Sequence, residues 1–332
     1  MYTWHTKDVV KIRDKKYDYQ KLLGEYLRAQ LFYSALELDL FSYLDEEISE
    51  INLSKKTGYN ARNLKWILMA LSSEGFIEKI GDNYINNESG RRFLSLKSGD
   101  YIGESLIRRK EMMDLSGLTE AVKYGKIDRK EEIYDFSRIA ASSDNEFKLF
   151  REQNFINTIE KIYDKESSIE FLDLGGGLGS LSASILRNFP NAKGVVFEEK
   201  SVAELAKDFI ESENLSSEIK VISGDFLSDE IGGDYDLIIA SGIFHFAKAV
   251  LSDFLLKIKS SLRDEGYLLS ATKTVSSDYQ NPKGLVTRWL SGYINGLDAL
   301  LTTEELDDAL KLSGFVKCDA YSVKGIEIYR KG

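Results

Sequence analysis

Apolar residues recur along this chain with two different periods, and the change from one to the other divides it. Over residues 22–44 the spacing is helical: Leu23, Leu27, Leu31, Ala35, Leu38 and Phe41 return every three or four positions. Apolar side chains there occupy more than one face, which predicts burial against a second subunit. Residues 1–20 are polar and tyrosine-containing and read as an arm or a frayed first helix. Residues 53–58 read as a short helix closed by Gly58. Asn60 is placed to cap a helix over 61–73, whose Leu64, Ile67, Leu68 and Leu71 form one apolar face. Residues 75–85 read as strand, Gly81-Asp82-Asn83 turn, strand. Helix, turn, helix and hairpin together make a winged-helix pattern. Residues 103–165 look helical throughout. One helix there ends at Gly125, and a second spans 147–162 on the spacing of Phe150, Phe155, Ile159 and Ile162.

Past residue 166 strands and helices alternate. Strands are expected over 169–174, 194–197, 219–222, 236–241 and 267–272, with helices between them such as 202–213 and 250–262. This alternation predicts an α/β fold, a Rossmann-like, mainly parallel sheet covered on both faces. The pattern then changes. A helix over 303–313 closes at Gly314, and strands over 315–320 and 326–330 follow as a terminal antiparallel hairpin. The expected organisation is a winged-helix domain over 1–100, a helical linker with substrate contacts over 101–165, and a sheet domain over 166–332.

Composition narrows the partners. With 332 residues and a net charge of −10, the chain has room for two domains and is poorly suited to general binding of nucleic acid or anionic membrane. The winged-helix segment is locally basic, with eight Lys/Arg against four Asp/Glu over residues 51–97. DNA binding and a dimerising use both remain readings of it. The second helix, however, sets Arg62, Asn63 and Lys65 beside Trp66, Ile67 and Leu68, which leaves few long polar side chains for base edges. A single cysteine, Cys318, excludes an internal disulfide framework and a cysteine-rich metal site, and no metal is expected. No apolar run approaches 18 residues, and residues 1–8 lack the apolar core of a signal peptide. A cytoplasmic protein with no membrane partner is the resulting expectation.

The candidate chemistry begins at Glu170-Phe-Leu-Asp-Leu-Gly-Gly-Gly-Leu-Gly-Ser180. Phe171, Leu172 and Leu174 make a buried strand, the glycines a sharp turn, and Leu181, Ile185 and Leu186 the apolar spacing of a helix. A ligand in such a turn meets bare amides and a helix N-terminus. Glu198 stands 25 residues after Asp173, where an acid can accept hydrogen bonds from ribose hydroxyls. A dinucleotide fingerprint fails, because its third glycine position falls on Ser180. An acid before the loop suits a ligand with a cationic amino-acid end and no phosphates; a plain tight turn is the bland alternative. Asp225-Phe226 follows the third strand, where an acid can accept the adenine amino group and a ring can cover the base. His245 follows the fourth strand. A histidine there can be neutral near pH 7 and take a hydroxyl proton, or simply pack between Phe244 and Phe246.

The Asp173 loop resembles the first motif of class I S-adenosylmethionine-dependent methyltransferases, which makes S-adenosylmethionine the expected cofactor. From about Leu22 onward, the order of winged helix, helical linker and glycine-loop sheet resembles the small-molecule O-methyltransferases of the plant phenolic, hydroxyindole and bacterial antibiotic type. In that family the fourth strand leads to a His-Asp-Trp signature whose histidine is the general base, and residues 236–245 align without a gap to place His245 there. Phe246 and Ala247 depart from the signature. By register, two glutamates that support the histidine in plant enzymes fall at Thr272 and about Leu300, and a lysine of the fourth strand falls at Ser241.

The resemblance implies homodimerisation through the N-terminal domain. It assigns the methionine end to Asp173, Gly175, Gly176, Gly177 and Gly179, the ribose to Glu198 and the adenine to Asp225 and Phe226. Ser241 joins the cofactor set, and Phe150, Asn154 and Phe155 of the linker are the candidates for acceptor contact. Methyl transfer to a hydroxyl of a small organic acceptor is the leading expectation. Carbon or nitrogen methylation, a non-methylating reaction on the same cofactor, and a ligand-sensing DNA-binding regulator are the other readings.

Overall fold

The computed structural model describes residues 6–125, 135–323 and 325–332, with side chains from residue 19 onward. The chain forms two compact units, Met1–Ile107 and Arg108–Gly332. Among the described residues, no helix is long and apolar enough to cross a membrane.

In the first unit, helix α1 (Thr6–Glu37) starts earlier than the apolar spacing suggests and stops short of residue 44. Asp39 takes a left-handed conformation, φ 50°, which interrupts the helix before α2 (Leu40–Tyr43) resumes it. Aspartate tolerates that region because its short side chain can bond locally, here to Ser42 Oγ. The break lets Ala35 and Leu36 of α1 and Leu40, Phe41 and Leu44 beyond it enter one core with Leu64, Leu68 and Leu71. Strand β1 (Ile48–Ser49) leads into α3 (Glu50–Thr57), which ends at left-handed Gly58. Helix α4 (Ala61–Ser73) begins where expected: the Asn60 side chain accepts the Asn63 amide at 3.1 Å. Strands β2 (Ile77–Ile80) and β3 (Asn83–Asn86) form the hairpin, and β1 adds to it antiparallel in the order β1-β3-β2. Helix α5 (Glu88–Phe93) follows, and α6 (Gly103–Met112) crosses the division between the units. Part of α1 stays uncovered, with Leu22, Leu23, Tyr26 and Leu27 all exposed.

The second unit opens with α7 (Leu118–Tyr124), α8 (Phe136–Phe150) and α9 (Glu152–Ile159). The single helix expected over 147–162 is two, broken at Arg151, where φ is −128°. The Arg151 guanidinium lies over the rings of Phe147 and Phe155, at 5.8 and 5.4 Å from their centroids. The break turns α9 so that Phe155, Ile156 and Ile159 join the core.

The sheet that follows is built from β4 (Glu170–Leu174), α10 (Ser180–Asn188), β5 (Lys193–Glu198), α11 (Lys200–Ser212), β6 (Ile219–Ser223), β7 (Tyr235–Ala240), α12 (Leu251–Ser261) and β8 (Leu262–Ser270). Helices α13 (Leu285–Ile294) and α14 (Thr303–Leu312) precede strands β9 (Phe315–Lys317) and β10 (Glu327–Lys331). Strand order is β6-β5-β4-β7-β8-β10-β9. The first five strands are parallel, and β10 inserts antiparallel between β8 and β9. Alternate residues serve opposite faces, as pleating requires: Ile238 joins the core containing Phe244, Phe254 and Leu310, and Ile239 the core containing Phe155, Phe171 and Ile328.

One end of the sheet is fastened by Asp236. Both its carboxylate oxygens accept Arg263 Nη1 at 2.7 Å, and Oδ2 also accepts the Glu170 amide at 2.8 Å. Its carbonyl accepts the Tyr163 hydroxyl at 2.9 Å. The connections after β4 and β7, which carry the residues of interest, leave from the opposite end.

Candidate active site

At that opposite end the chain turns at Gly175, Gly177 and Gly179, whose φ values of 68°, 60° and 83° are all left-handed. The Gly175 amide donates to the Phe197 carbonyl at 2.9 Å, and helix α10 starts directly after Gly179. The turn is tightly framed. A Cβ on Gly176 would lie 2.6 Å from Asp173 Cγ; one on Gly175 would lie 2.5 Å from Ile243 Cγ2 and 4.0 Å from the Phe226 ring. Asp173 therefore sits beneath the loop, and Ile243 and Phe226 stand beside it.

Two acids converge here. Asp173, 2% exposed, accepts Ser182 Oγ at 2.8 Å. Burial pushes its pKa up to about 6, and the Ser182 bond opposes that rise. Glu198 ends β5. Its Oε1 accepts the Gly177 amide of the loop at 2.7 Å, and its Oε2 accepts the Glu199 amide at 3.0 Å. Burial pushes its pKa up to about 7 against those two bonds. Asp225 is exposed at the end of β6 and closes its own turn, accepting the Leu227 amide at 2.9 Å and Ser228 Oγ at 3.1 Å. The Phe226 ring packs on Phe254 at 5.6 Å between centroids. A bare-backbone turn, two carboxylates and a ring, with no cation on the loop itself, fit a nucleoside joined to an amino acid.

The connection after β7 carries Ser241, left-handed Gly242 and His245. His245 is 5% exposed, and its Nδ1 lies 2.7 Å from the Ala299 carbonyl. A carbonyl only accepts, so the proton sits on Nδ1 and Nε2 keeps its lone pair. The Trp289 ring of α13 packs on the imidazole at 4.6 Å and 45°. Burial lowers the His245 pKa, partly offset by the bond to Ala299, so the ring is neutral at pH 7. Phe246, in the place of the signature aspartate, meets Phe136 edge-on at 5.4 Å. Thr272 accepts Ser270 Oγ at 3.2 Å.

The linker candidates separate. Phe155 is 1% exposed and packed against Phe147, so the expectation that it contacts an acceptor is corrected: its ring is core, because the break at Arg151 turns that face of α9 inward. Asn154 is on the exposed side of the same helix, and Phe150, at the end of α8, is 52% exposed. Sequence reasoning missed Arg151 between them, whose Nη2 donates to Ser241 Oγ at 3.2 Å. It also missed Trp289 and the Ala299 carbonyl. A tryptophan within an amphipathic run at 285–294 was a usable signal for the first; a backbone carbonyl leaves none.

A parallel sheet with an antiparallel pair at one edge, a glycine turn after β4 and an acid at the end of β5 define the fold of class I S-adenosylmethionine-dependent methyltransferases. Residues 132–290 match the family model described as an O-methyltransferase domain. The chain is 22% identical over 310 residues to the N,N-dimethyltransferase OxyT of Streptomyces rimosus, covering 89% of each. It is also 22% identical to the tetracenomycin polyketide synthesis 8-O-methyl transferase TcmO of Streptomyces glaucescens, covering 87% of this chain and 85% of TcmO. Among solved structures, PigF with SAH superposes with a TM-score of 0.79 at 21% identity, covering 95% of this chain and 99% of that one. Residues 132–290 thus carry an O-methyltransferase domain, and the chain is an S-adenosylmethionine-dependent methyltransferase.

Proposed function

We propose that this methyltransferase acts on a hydroxyl group, with His245 as general base. The observation that carries the reading is the 2.7 Å bond from His245 Nδ1 to the Ala299 carbonyl, which leaves Nε2 as a lone-pair base. S-adenosylmethionine supplies an electrophilic methyl group on a positively charged sulfur. Asp173 and the backbone of Gly175, Gly176, Gly177 and Gly179 above it receive the methionine end. Glu198 takes the ribose hydroxyls, Asp225 and Phe226 the adenine, and Ser241 flanks the cofactor. His245 Nε2 accepts the hydroxyl proton as the oxygen becomes a nucleophile, and the Ala299 carbonyl steadies the imidazolium that results. Holding the two reactants in line supplies much of the remaining acceleration.

The winged-helix unit serves as a dimerisation domain in this reading. Leu22, Leu23, Tyr26 and Leu27 of α1, apolar and exposed, are the face offered to a second copy. Residues 101–165 contribute acceptor contacts, among which Phe150 and Asn154 remain candidates.

Transfer of a labelled methyl group to a panel of small phenols tests the assignment. His245→Ala and His245→Asn are expected to lower turnover by about 10²–10⁴-fold with S-adenosylhomocysteine affinity retained. Undiminished turnover in both would remove His245 as base. A second reading is nitrogen methylation, favoured by the N,N-dimethyltransferase description of OxyT. An amine with a free lone pair needs no deprotonation, so on that reading both variants keep their activity toward amines.

A further inference from the structure

A lysine of α12 stands behind the turn that follows β6. Lys257 Nζ donates to three backbone carbonyls of that turn: Phe226 at 3.1 Å, Leu227 at 2.8 Å and Asp229 at 2.9 Å. An ammonium has three donors, and all three are used here. The carbonyls lie 28 to 31 residues away in the chain, so the lysine ties two separate elements together. Phe254, three residues earlier on the same helix, is buried and packs on the Phe226 ring at 5.6 Å. One face of α12 therefore supports both the ring and the backbone of the turn. The turn in its place borders the glycine loop, since a Cβ on Gly175 would lie 4.0 Å from the Phe226 ring.

Within the turn, the Asp225 amide donates to Asp229 Oδ2 at 2.8 Å, and the Ser228 and Asp229 amides donate to the Asp225 carbonyl at 3.1 and 2.7 Å. Asp225 Oδ1 accepts the Leu227 amide and Oδ2 accepts Ser228 Oγ, which fixes the plane of the carboxylate and leaves each oxygen a further lone pair. The carbonyls of Phe226, Leu227 and Asp229 meanwhile converge on one point. Oxygens gathered in this way repel one another, and the ammonium among them offsets that repulsion with charge-assisted bonds.

Resting on the reading above, in which Asp225 and Phe226 take the adenine, we propose that Lys257 is a positioning residue for base recognition. It holds the turn in the shape that aims the Asp225 carboxylate and the Phe226 ring at the base. Without the ammonium the three carbonyls part, and the carboxylate loses its direction. The adenine amino group donates to that carboxylate, whereas hypoxanthine presents an oxygen in the same place, which the carboxylate repels. Discrimination between the two bases therefore reports the aim of Asp225, and overall affinity alone does not.

Calorimetric titration with S-adenosylhomocysteine and S-inosylhomocysteine measures that discrimination. The unaltered protein is expected to bind the adenosyl compound about tenfold tighter or more. Lys257→Met removes the charge and is expected to cut the preference to about twofold. Lys257→Cys is expected to do the same in a Cys318→Ser background, which removes the chain's single native cysteine. Alkylating the new thiol with 2-bromoethylamine forms a carbon–sulfur bond with loss of bromide. This rebuilds an ammonium at lysine length and is expected to restore the preference. A preference that survives in both variants, a loss that aminoethylation leaves uncorrected, or an equal weakening of both ligands with the preference intact would overturn the proposal. Asp225→Ala distinguishes the two levels of failure. Equal binding of both ligands by the unaltered protein would remove Asp225 from the adenine and Lys257 with it. A preference that Asp225→Ala abolishes and Lys257→Met keeps would leave the adenine assignment standing and remove Lys257 alone.

Discussion

With Glu198 as the proposed acceptor for the ribose hydroxyls, cofactor affinity should depend on pH, and the size of the effect follows from its surroundings. Without ligand its carboxyl is pushed up to about 7, because burial outweighs the amide bonds from Gly177 and Glu199. The sign is that of a raised acid: near neutrality the folded chain still holds a proton that a free glutamate has lost. A ribose whose hydroxyls donate to the ionised carboxylate must therefore expel that proton. With a pKa of about 7, roughly a tenth of the protein is ionised at about pH 6 and nine-tenths at about pH 8. Affinity for S-adenosylhomocysteine should then weaken nearly tenfold across that interval on acidification, a little over 1 kcal/mol by the usual conversion of about 1.4 kcal/mol per decade. Calorimetry at about pH 7 in two buffers of different ionisation enthalpy should count about half a proton released per ligand bound. Glu198→Gln keeps an acceptor but cannot titrate, so it should lose the tenfold change and keep at most the roughly twofold one that Asp173 supplies near about pH 6. Asp173, pushed up to about 6, adds only at the acid edge of the window and is common to both proteins. Equal affinity at the two pH values, or a tenfold change that survives in Glu198→Gln, would refute the reasoning.

Phe155→Ala should cost about 3–5 kcal/mol in urea denaturation, as loss of a buried aromatic does, while Phe150→Ala should stay within about 0.5 kcal/mol; comparable costs would return Phe155 to the surface. Gly176→Ala places a Cβ 2.6 Å from Asp173 Cγ, so the loop or the acid must move. A stability loss of about 1–3 kcal/mol is expected by thermal denaturation, together with weaker S-adenosylhomocysteine binding; an unperturbed variant would mean that the loop is looser than its contacts imply. For the proposed dimer, Leu23→Glu combined with Leu27→Glu should leave a monomer in sedimentation velocity with the fold intact, and a sedimentation coefficient equal to that of the unaltered protein would refute the α1 interface.

The sheet was legible because each strand is an apolar run bounded by turn residues, and the order of runs dictates a parallel arrangement. Phe171, Leu172 and Leu174, then Val195, Val196 and Phe197, lie where their pattern put them. Breaks in helices were less legible. Nothing in the spacing of Phe147, Phe155 and Ile159 marks a stop at Arg151, since that break is stabilised by Ser241, 90 residues away. Asp39 likewise interrupts α1 where the apolar repeat continues through it. At the site, residues whose role depends on strand position were readable, as with Glu198, whose carboxylate reaches the glycine turn. His245 was readable as a residue but not in its support. Thr272 and Leu300, where the register puts the two supporting glutamates, lack carboxylates; the carbonyl of Ala299, beside Leu300, holds the imidazole instead.

The Asp236 cluster has a mechanical consequence. Bonded to Arg263, to the Glu170 amide and through its carbonyl to Tyr163, it pins β4, β7 and β8 and the segment after α9 at a single point. The other ends of β4 and β7 carry the glycine turn and the connection to His245, so the fastening and the candidate site lie at opposite edges of one sheet. Replacing residues in those loops, or at the bend around Arg151, leaves the bonds of Asp236 in place. A new acceptor preference can therefore be acquired at one edge of the sheet while the information needed to fold is kept at the other.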